Sequence, residues 1–302
     1  MSTSLEDLLY FNSTTADDIL ALNIANLKGI TEWTPNYIGA IEEETIPLLH
    51  DIVELNMYGF FSSQSQPGMD DVILEPFSVA QQRSFISGFF KKQKNLTLAL
   101  VEFMSQQTEY YFCFIDVDGK GFSNMPFAAE PNETLFGKPS SRKIYSLTRA
   151  KTSPDEPWDN ETAISNEFKK LARVFNIFVN YPVLQDLLDD NYFYLTFASK
   201  EWNQGNAVKS LLSFFQQISE PRLQFSDPVP RIVALLVHLK QAGLTPDDME
   251  SIKLALTVSN PDLIAPDLMR RIAALGLLDS LQDALRITGF FILEESTAEI
   301  RK

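Results

Sequence analysis

Leu55-Asn-Met-Tyr-Gly59-Phe60-Phe-Ser-Ser-Gln-Ser-Gln66-Pro67-Gly68 takes the chain from a helix into a strand. Upstream, Ile46, Leu49, Ile52, Val53 and Met57 recur at helical spacing, and Gly59 is placed to end that helix. Downstream, Phe60 to Gln66 has the extended pattern of a strand, stopped by Pro67-Gly68. A helix running directly into a strand, with no parallel βαβ rhythm around it, points to an α+β fold.

The reading extends outward from this point. Thr15 and Asp18 open an apolar rhythm at Ile19, Leu20, Leu22, Ile24 and Leu27, closed by Gly29. Gln82 to Phe90 is predicted as a second strand, residues 91–106 as a helix and 109–117 as the strongest strand, followed by an Asp118-Gly119 turn. Five prolines between 126 and 160 mark a loop region. A helix over about 162–178, a strand over Tyr192–Ala198 and a helix over Gly205–Ile218 follow. Residues 221–230 hold three prolines, and beyond them only helical rhythm remains, with proline-started helices at Thr245-Pro246-Asp247 and Ala265-Pro266-Asp267. The expected organisation is an α+β domain over 1–220, a proline-rich linker over 221–230 and an all-helical module over 231–302.

The 302 residues carry 25 basic and 40 acidic side chains, a net charge of −15, unevenly spread. Residues 1–80 hold one basic residue, Lys28, against 13 acidic ones. Such a surface repels phosphate backbones and anionic lipid, so nonspecific nucleic-acid binding and membrane adsorption are not expected. It fits a basic protein partner, and Glu42, Glu43 and Glu44 are the densest part of it. No window is apolar enough to span a bilayer, and Met1-Ser-Thr-Ser-Leu-Glu-Asp lacks the basic and apolar regions of a secretory signal, so a cytoplasmic location is expected.

Chemistry-bearing motifs are sparse. Asp116-Val-Asp118-Gly-Lys-Gly121 begins like a calcium loop, but Lys120 and Phe127 stand where oxygen ligands belong. Gly137-Lys138-Pro139 lacks the upstream glycine and the hydroxyl of a phosphate loop. His50 and His238 are the only imidazoles, and Cys113 is the only thiol, so a zinc site is excluded, no disulfide can close within the chain, and no cofactor is expected. His238 falls in an apolar helical run and Cys113 in an apolar strand, both read as core. The polar constellation that stands out is Ser63, Ser65 and Gln66 on one strand with Gln82 and Arg83 opening the next. If those strands pair, one face would offer hydroxyls, amides and one guanidinium to a ligand.

The same stretch resembles an uncharacterised domain family found in bacteria and viruses. Its signature runs Leu-Asn-x-x-Gly-Phe-x-Ser/Thr-x-x-Ser-Gln-Pro/Ala-Gly, matched by Leu55 to Gly68, followed by Gln-Arg-x-x-x-x-Gly-Phe, matched by Gln82 to Phe89. An aromatic strand leading to Glu201-Trp202 is similar to the family's later part, so the resemblance covers about 50–220. It implies a domain boundary near 220 and a role for the serine–glutamine segment, and no chemistry. The expected function is therefore non-catalytic binding of a protein partner, as an antagonist or a viral component. The alternative is an enzyme acting on a phosphate- or ribose-bearing small molecule at Ser63, Gln66 and Arg83.

Overall fold

The computed structural model describes residues 4–31, 33–34, 37–38, 41–74, 77–115, 121–123, 127–128, 133–135, 138–140, 143–145, 148–151, 163–164, 192–201, 205–218 and 227–300. The fold is α+β. Helices are α1 (Leu5–Phe11), α2 (Ala16–Leu27), α3 (Leu49–Met57), α4 (Lys94–Gln106), α5 (Ala207–Ile218), α6 (Pro228–Gln241), α7 (Pro246–Thr257), α8 (Pro266–Ala274) and α9 (Leu278–Ile300). Strands are β1 (Trp33–Thr34), β2 (Tyr37–Ile38), β3 (Phe61–Gln66), β4 (Met69–Leu74), β5 (Phe77–Gln82), β6 (Phe85–Lys91), β7 (Tyr110–Ile115) and β8 (Gly121–Ser123). They continue as β9 (Phe127–Ala128), β10 (Glu133–Leu135), β11 (Lys138–Ser140), β12 (Lys143–Tyr145), β13 (Thr148–Lys151), β14 (Ala163–Ile164) and β15 (Tyr192–Ser199).

The chain divides into two units, and the division differs from one made by position along the sequence. The helical unit joins residues 1–34 and 38–40 to 223–302; the mixed unit comprises 35–37 and 41–222. Sequence rhythm groups α1 and α2 with the α+β domain over 1–220. In the structure α1 packs on α7 and α9, and α2 packs on α6. The physical reason lies in α2 itself: every residue from Asp18 to Asn26 is buried. A helix buried on all sides needs neighbours all round, and α6 presents Ile232, Leu236 and Leu239, each fully buried, to that core.

Local signals start the helices of this unit. Ser4 with Asp7, Thr15 with Asp18, and Thr245 with Asp248 each form a capping box, the hydroxyl accepting from the third residue's N–H while the carboxylate accepts from the cap's own N–H. Gly29, at φ +63°, supplies the left-handed residue after α2, and its carbonyl accepts from Lys240 Nζ at 2.7 Å. Asp248 also pairs with Arg271, tying α7 to α8.

The mixed unit is built on a five-stranded antiparallel sheet ordered β3-β6-β15-β7-β8. β15 pairs on both sides, Phe197 lying opposite Ile86 on β6 and Phe112 on β7. Its side chains alternate between faces. On one face the sheet meets α5, which contacts β6 and β15 and is flanked by α3 and α4. Phe103 of α4 lies 4.7 Å from Phe214 and 6.3 Å from Phe197 between ring centroids, and Phe60 lies 6.1 Å from Phe215. That aromatic layer is the core on this face, and Phe61, Phe89 and Tyr194 are buried on the other.

Several expected elements differ. The strand expected over Gln82–Phe90 is two strands, β5 and β6, broken at Arg83-Ser84. β5 belongs to a separate sheet, between β4 and β13. The loop region over 126–160 contains the short strands β9 to β13. The helix expected from 162 meets β14 at Ala163–Ile164, and its remainder lies outside the described residues, as do Asp116 to Lys120 and the Asp118-Gly119 turn. Among the described residues no helix is long and apolar enough to cross a membrane.

Candidate functional site

Gly59 begins the site. At φ +87° it turns the chain out of α3, and Phe60 N–H closes back on Leu55 O at 3.1 Å. Buried Asn56 then fixes the departing strand: its Nδ2 donates to Ile52 O at 2.7 Å and to Ser62 Oγ at 2.9 Å. β3 runs antiparallel to β6 in a register that slips once. Ser62 lies opposite Gly88, whereas Gln64 lies opposite Ser87, which leaves Ser63 as a bulge.

That bulge redistributes the serines. Simple alternation puts Ser63 and Ser65 on one face. With the extra residue, Ser62 and Ser65 fall on the helix-facing side, while Ser63, Gln64 and Gln66 share the other side with Ser87 and Phe85. Ser63 Oγ donates to Ser87 O at 3.2 Å and lies 3.0 Å from Tyr194 Oη. Ser87 Oγ lies 3.0 Å from Thr196 Oγ1, and Thr196 is opposite Cys113 on β7. Ser63, Tyr194, Ser87 and Thr196 thus make a row of hydroxyls across β3, β6 and β15. Ser87, Thr196, Tyr194 and Cys113 are all buried.

Arg83 sits apart from this row. It precedes β6, four residues before Ser87, a separation of about 13 Å in extended chain. It is 6% exposed, its Nη1 donates to Ser199 O at 3.1 Å, and its Cζ lies 5.4 Å from the Tyr111 ring centroid. Lys200 Nζ stands at the same distance from that ring. Gln82 ends β5, opposite Met69 and Thr148, on the other sheet. The candidate residues are therefore not brought to one face: Ser63 and Gln66 share a side, Ser65 takes the opposite one, Arg83 is drawn to the β15–β7 end, and Gln82 is on a different sheet. Ser84 beside it faces the helices, where its Oγ accepts the Ala207 N–H at 2.9 Å and caps α5.

The chemistry available to this arrangement is limited. A serine hydroxyl becomes a nucleophile through a neighbouring base, but the partners of Ser63 are a phenol and a carbonyl. Among the described residues no group of three metal-ligating side chains converges. Cys113 is buried, as its apolar strand implies. The two histidines are both exposed, His50 beside Asp51 at 3.5 Å and His238 on the open side of α6, which corrects the expectation that His238 is core. Sequence reasoning missed Ser87, Tyr194, Thr196 and Tyr111. Alternation groups Ser87 with Phe85 and Phe89, and Thr196 with Tyr194, but only the pairing of β6 with β15 joins the two sets.

The acidic triplet lies elsewhere in the same unit. Glu42 and Glu43 are exposed and Glu44 half-exposed, where a 3-10 helix over Glu43–Leu48 leads into α3. Pro47 stiffens that lead-in and Leu48 anchors it in the core.

No curated protein matches the chain. A family model described as Domain of unknown function (DUF6919) matches residues 8–149, somewhat under half of the chain, and this stretch includes both Leu55–Gly68 and Gln82–Phe89. The chain is thus similar, over its first half, to an uncharacterised domain family.

Proposed function

We propose that the protein acts by non-catalytic contact with a basic protein partner, through the face that carries Glu42, Glu43 and Glu44. The observation that carries this reading is the display of the triplet: carboxylates at the exposed start of a short helix whose other end is buried at Leu48. A charged patch on a rigid lead-in steers a partner of opposite sign and sets its orientation. The internal engagement of Ser63 and Arg83 supports the same reading, because hydroxyl and guanidinium groups spent on Tyr194, Ser87 and Ser199 are withdrawn from a substrate. The family signature and a bacterial or viral origin belong to this proposal as well, with an antagonist or an assembly component as the roles that fit.

The test is kinetic. A partner isolated from the source cells by crosslinking is purified, and its association rate is followed against ionic strength. Changing Glu42, Glu43 and Glu44 together to lysine is expected to slow association at low salt by about tenfold or more and to flatten its salt dependence. An association rate unchanged by the triple substitution would refute the assignment of this face.

A further inference from the structure

We infer that the groove between α6 and α9 is a docking site for a guanidinium group, an arginine side chain of a basic protein being its natural source. The groove lies wholly within the helical unit and encloses about 500 Å³. Its floor is apolar, with Leu235 and Ala284 nearly fully buried. Arg231 and His238 stand on the α6 wall, two turns apart; Asp279, Ser280 and Asp283 stand on the α9 wall.

The groove already shows how it holds such a group. Arg231 reaches across from α6 and pairs with Asp283, and Arg286 donates to the same carboxylate at 2.7 Å. Asp283 is thereby neutralised. Asp279, one helical turn earlier on the same face of α9, is exposed, and among the described residues no ion pair reaches it. An incoming guanidinium would set its planar edge on Asp279, lay its methylene stem along half-buried Ala234, and find further polar contacts at Ser280 Oγ and the His238 ring. A lysine ammonium lacks the planar fork that pairs edge-on with a carboxylate. Arg231 and Arg286 oppose the newcomer electrostatically, so a single arginine binds weakly and the site acts as one anchor within a larger contact. This site stands independently of the Glu42–Glu44 face: either can fail alone.

Only two imidazoles exist in the chain, so proton NMR reads the site directly, with His50 as the internal reference and His50→Gln giving the assignment. The whole protein is titrated at low salt with Nα-acetyl-arginine amide, and in parallel with its neutral isostere Nα-acetyl-citrulline amide. Saturable movement of the His238 ring signals is expected with the arginine derivative alone, while the His50 signals stay fixed. Asp279→Asn should weaken binding about fivefold, the scale of one solvent-exposed ion pair. Arg231→Gln should strengthen it, because one opposing charge leaves the groove and Asp283 is then shared with Arg286 alone. Equal shifts with citrulline, absence of saturation, or indifference to both substitutions would overturn the proposal; saturation by inorganic phosphate instead would make the groove an anion site and overturn it equally.

Discussion

Ser84 Oγ accepts the backbone N–H of Ala207 at 2.9 Å, joining the start of β6 to the start of α5 across 123 residues of chain. Both groups are buried, so the bond satisfies a donor that the first turn of a helix otherwise leaves open. Ser84→Ala is expected to lower the stability of the mixed unit by about 1–2 kcal/mol, with Ser84→Thr milder. Urea unfolding followed by aromatic fluorescence measures it. A change below about 0.3 kcal/mol would mean that the α5 terminus finds another acceptor.

Gly88 makes a stronger case. A β-carbon built there would stand 2.2 Å from Phe61 O and 2.8 Å from the Phe60 ring. One obstacle is backbone in the paired strand and the other is a ring locked against Phe215, so neither can yield cheaply. Gly88→Ala should cost about 3 kcal/mol or more by overpacking, whereas an alanine at Gly243, where nothing lies within 4 Å, meets no clash and is penalised only by φ +83°. Thermal unfolding of the two variants side by side separates crowding from backbone strain.

Arg83 distinguishes a structural from a ligand-binding role. Because it donates to Ser199 O and lies over Tyr111 while nearly fully buried, Arg83→Ala should destabilise the mixed unit by about 2–3 kcal/mol without any ligand present. Arg83→Lys should recover only part of this, since an ammonium lacks the planar fork. A fully stable Arg83→Ala protein would return Arg83 to the list of candidate ligand contacts.

These residues show what the sequence made legible and what it withheld. The caps at Thr15 and Thr245 marked helix starts because a cap is a local event, complete within four residues, whereas the same box at Ser4 and the helix it opens were not read. The aromatic run at 110–115 and the Gly59 turn were legible for the same reason. The Ser63 bulge was not: an extra residue leaves no trace in a single strand and is defined only against β6. Nor was the break at Arg83-Ser84, since Phe77–Gln82 and Phe85–Lys91 have continuous strand character, and the two part only because Arg83 turns to Ser199 and Ser84 to Ala207. The grouping of α1 and α2 with the carboxy-terminal helices was hidden by their distance along the chain, and Asp18, Asn23 and Asn26, polar yet buried, masked how completely α2 is enclosed.

Asp248 gives a pH dependence with a definite sign. The hydrogen bond from Arg271, helped by Thr245, holds its carboxyl at about 2, below the ordinary aspartate range. Its unfolded value is about 3.9, so the folded state favours the ionised form; the associated stability is present above about pH 4 and is lost as pH falls toward 2. Asp248→Asn keeps an oxygen for the Thr245 N–H but removes the charge. The difference in urea midpoint between pH 5 and pH 2.5 should be smaller in that variant than in the parent, followed through the helical unit. An equal pH difference in both proteins would place the acid sensitivity elsewhere.

The discontinuous helical unit makes the boldest prediction. Removing residues 1–34 strips out Leu5, Leu8, Leu9, Ile19, Leu20, Leu22 and Ile24, none more than 6% exposed. At about 1.5–3 kcal/mol per buried aliphatic side chain, that loss is as large as the whole stability of an ordinary domain, about 5–15 kcal/mol. The truncated chain should therefore lose hydrogen-exchange protection throughout α6, α7 and α9, while the strands β6, β7 and β15 stay protected. A synthetic peptide spanning residues 1–34, added in excess, should restore protection to the three helices as it reoccupies the core. Protection of α6 and α7 that survives the truncation unaltered would show that the carboxy-terminal helices form a core by themselves, without the residues 1–34 that sequence rhythm places in the α+β domain.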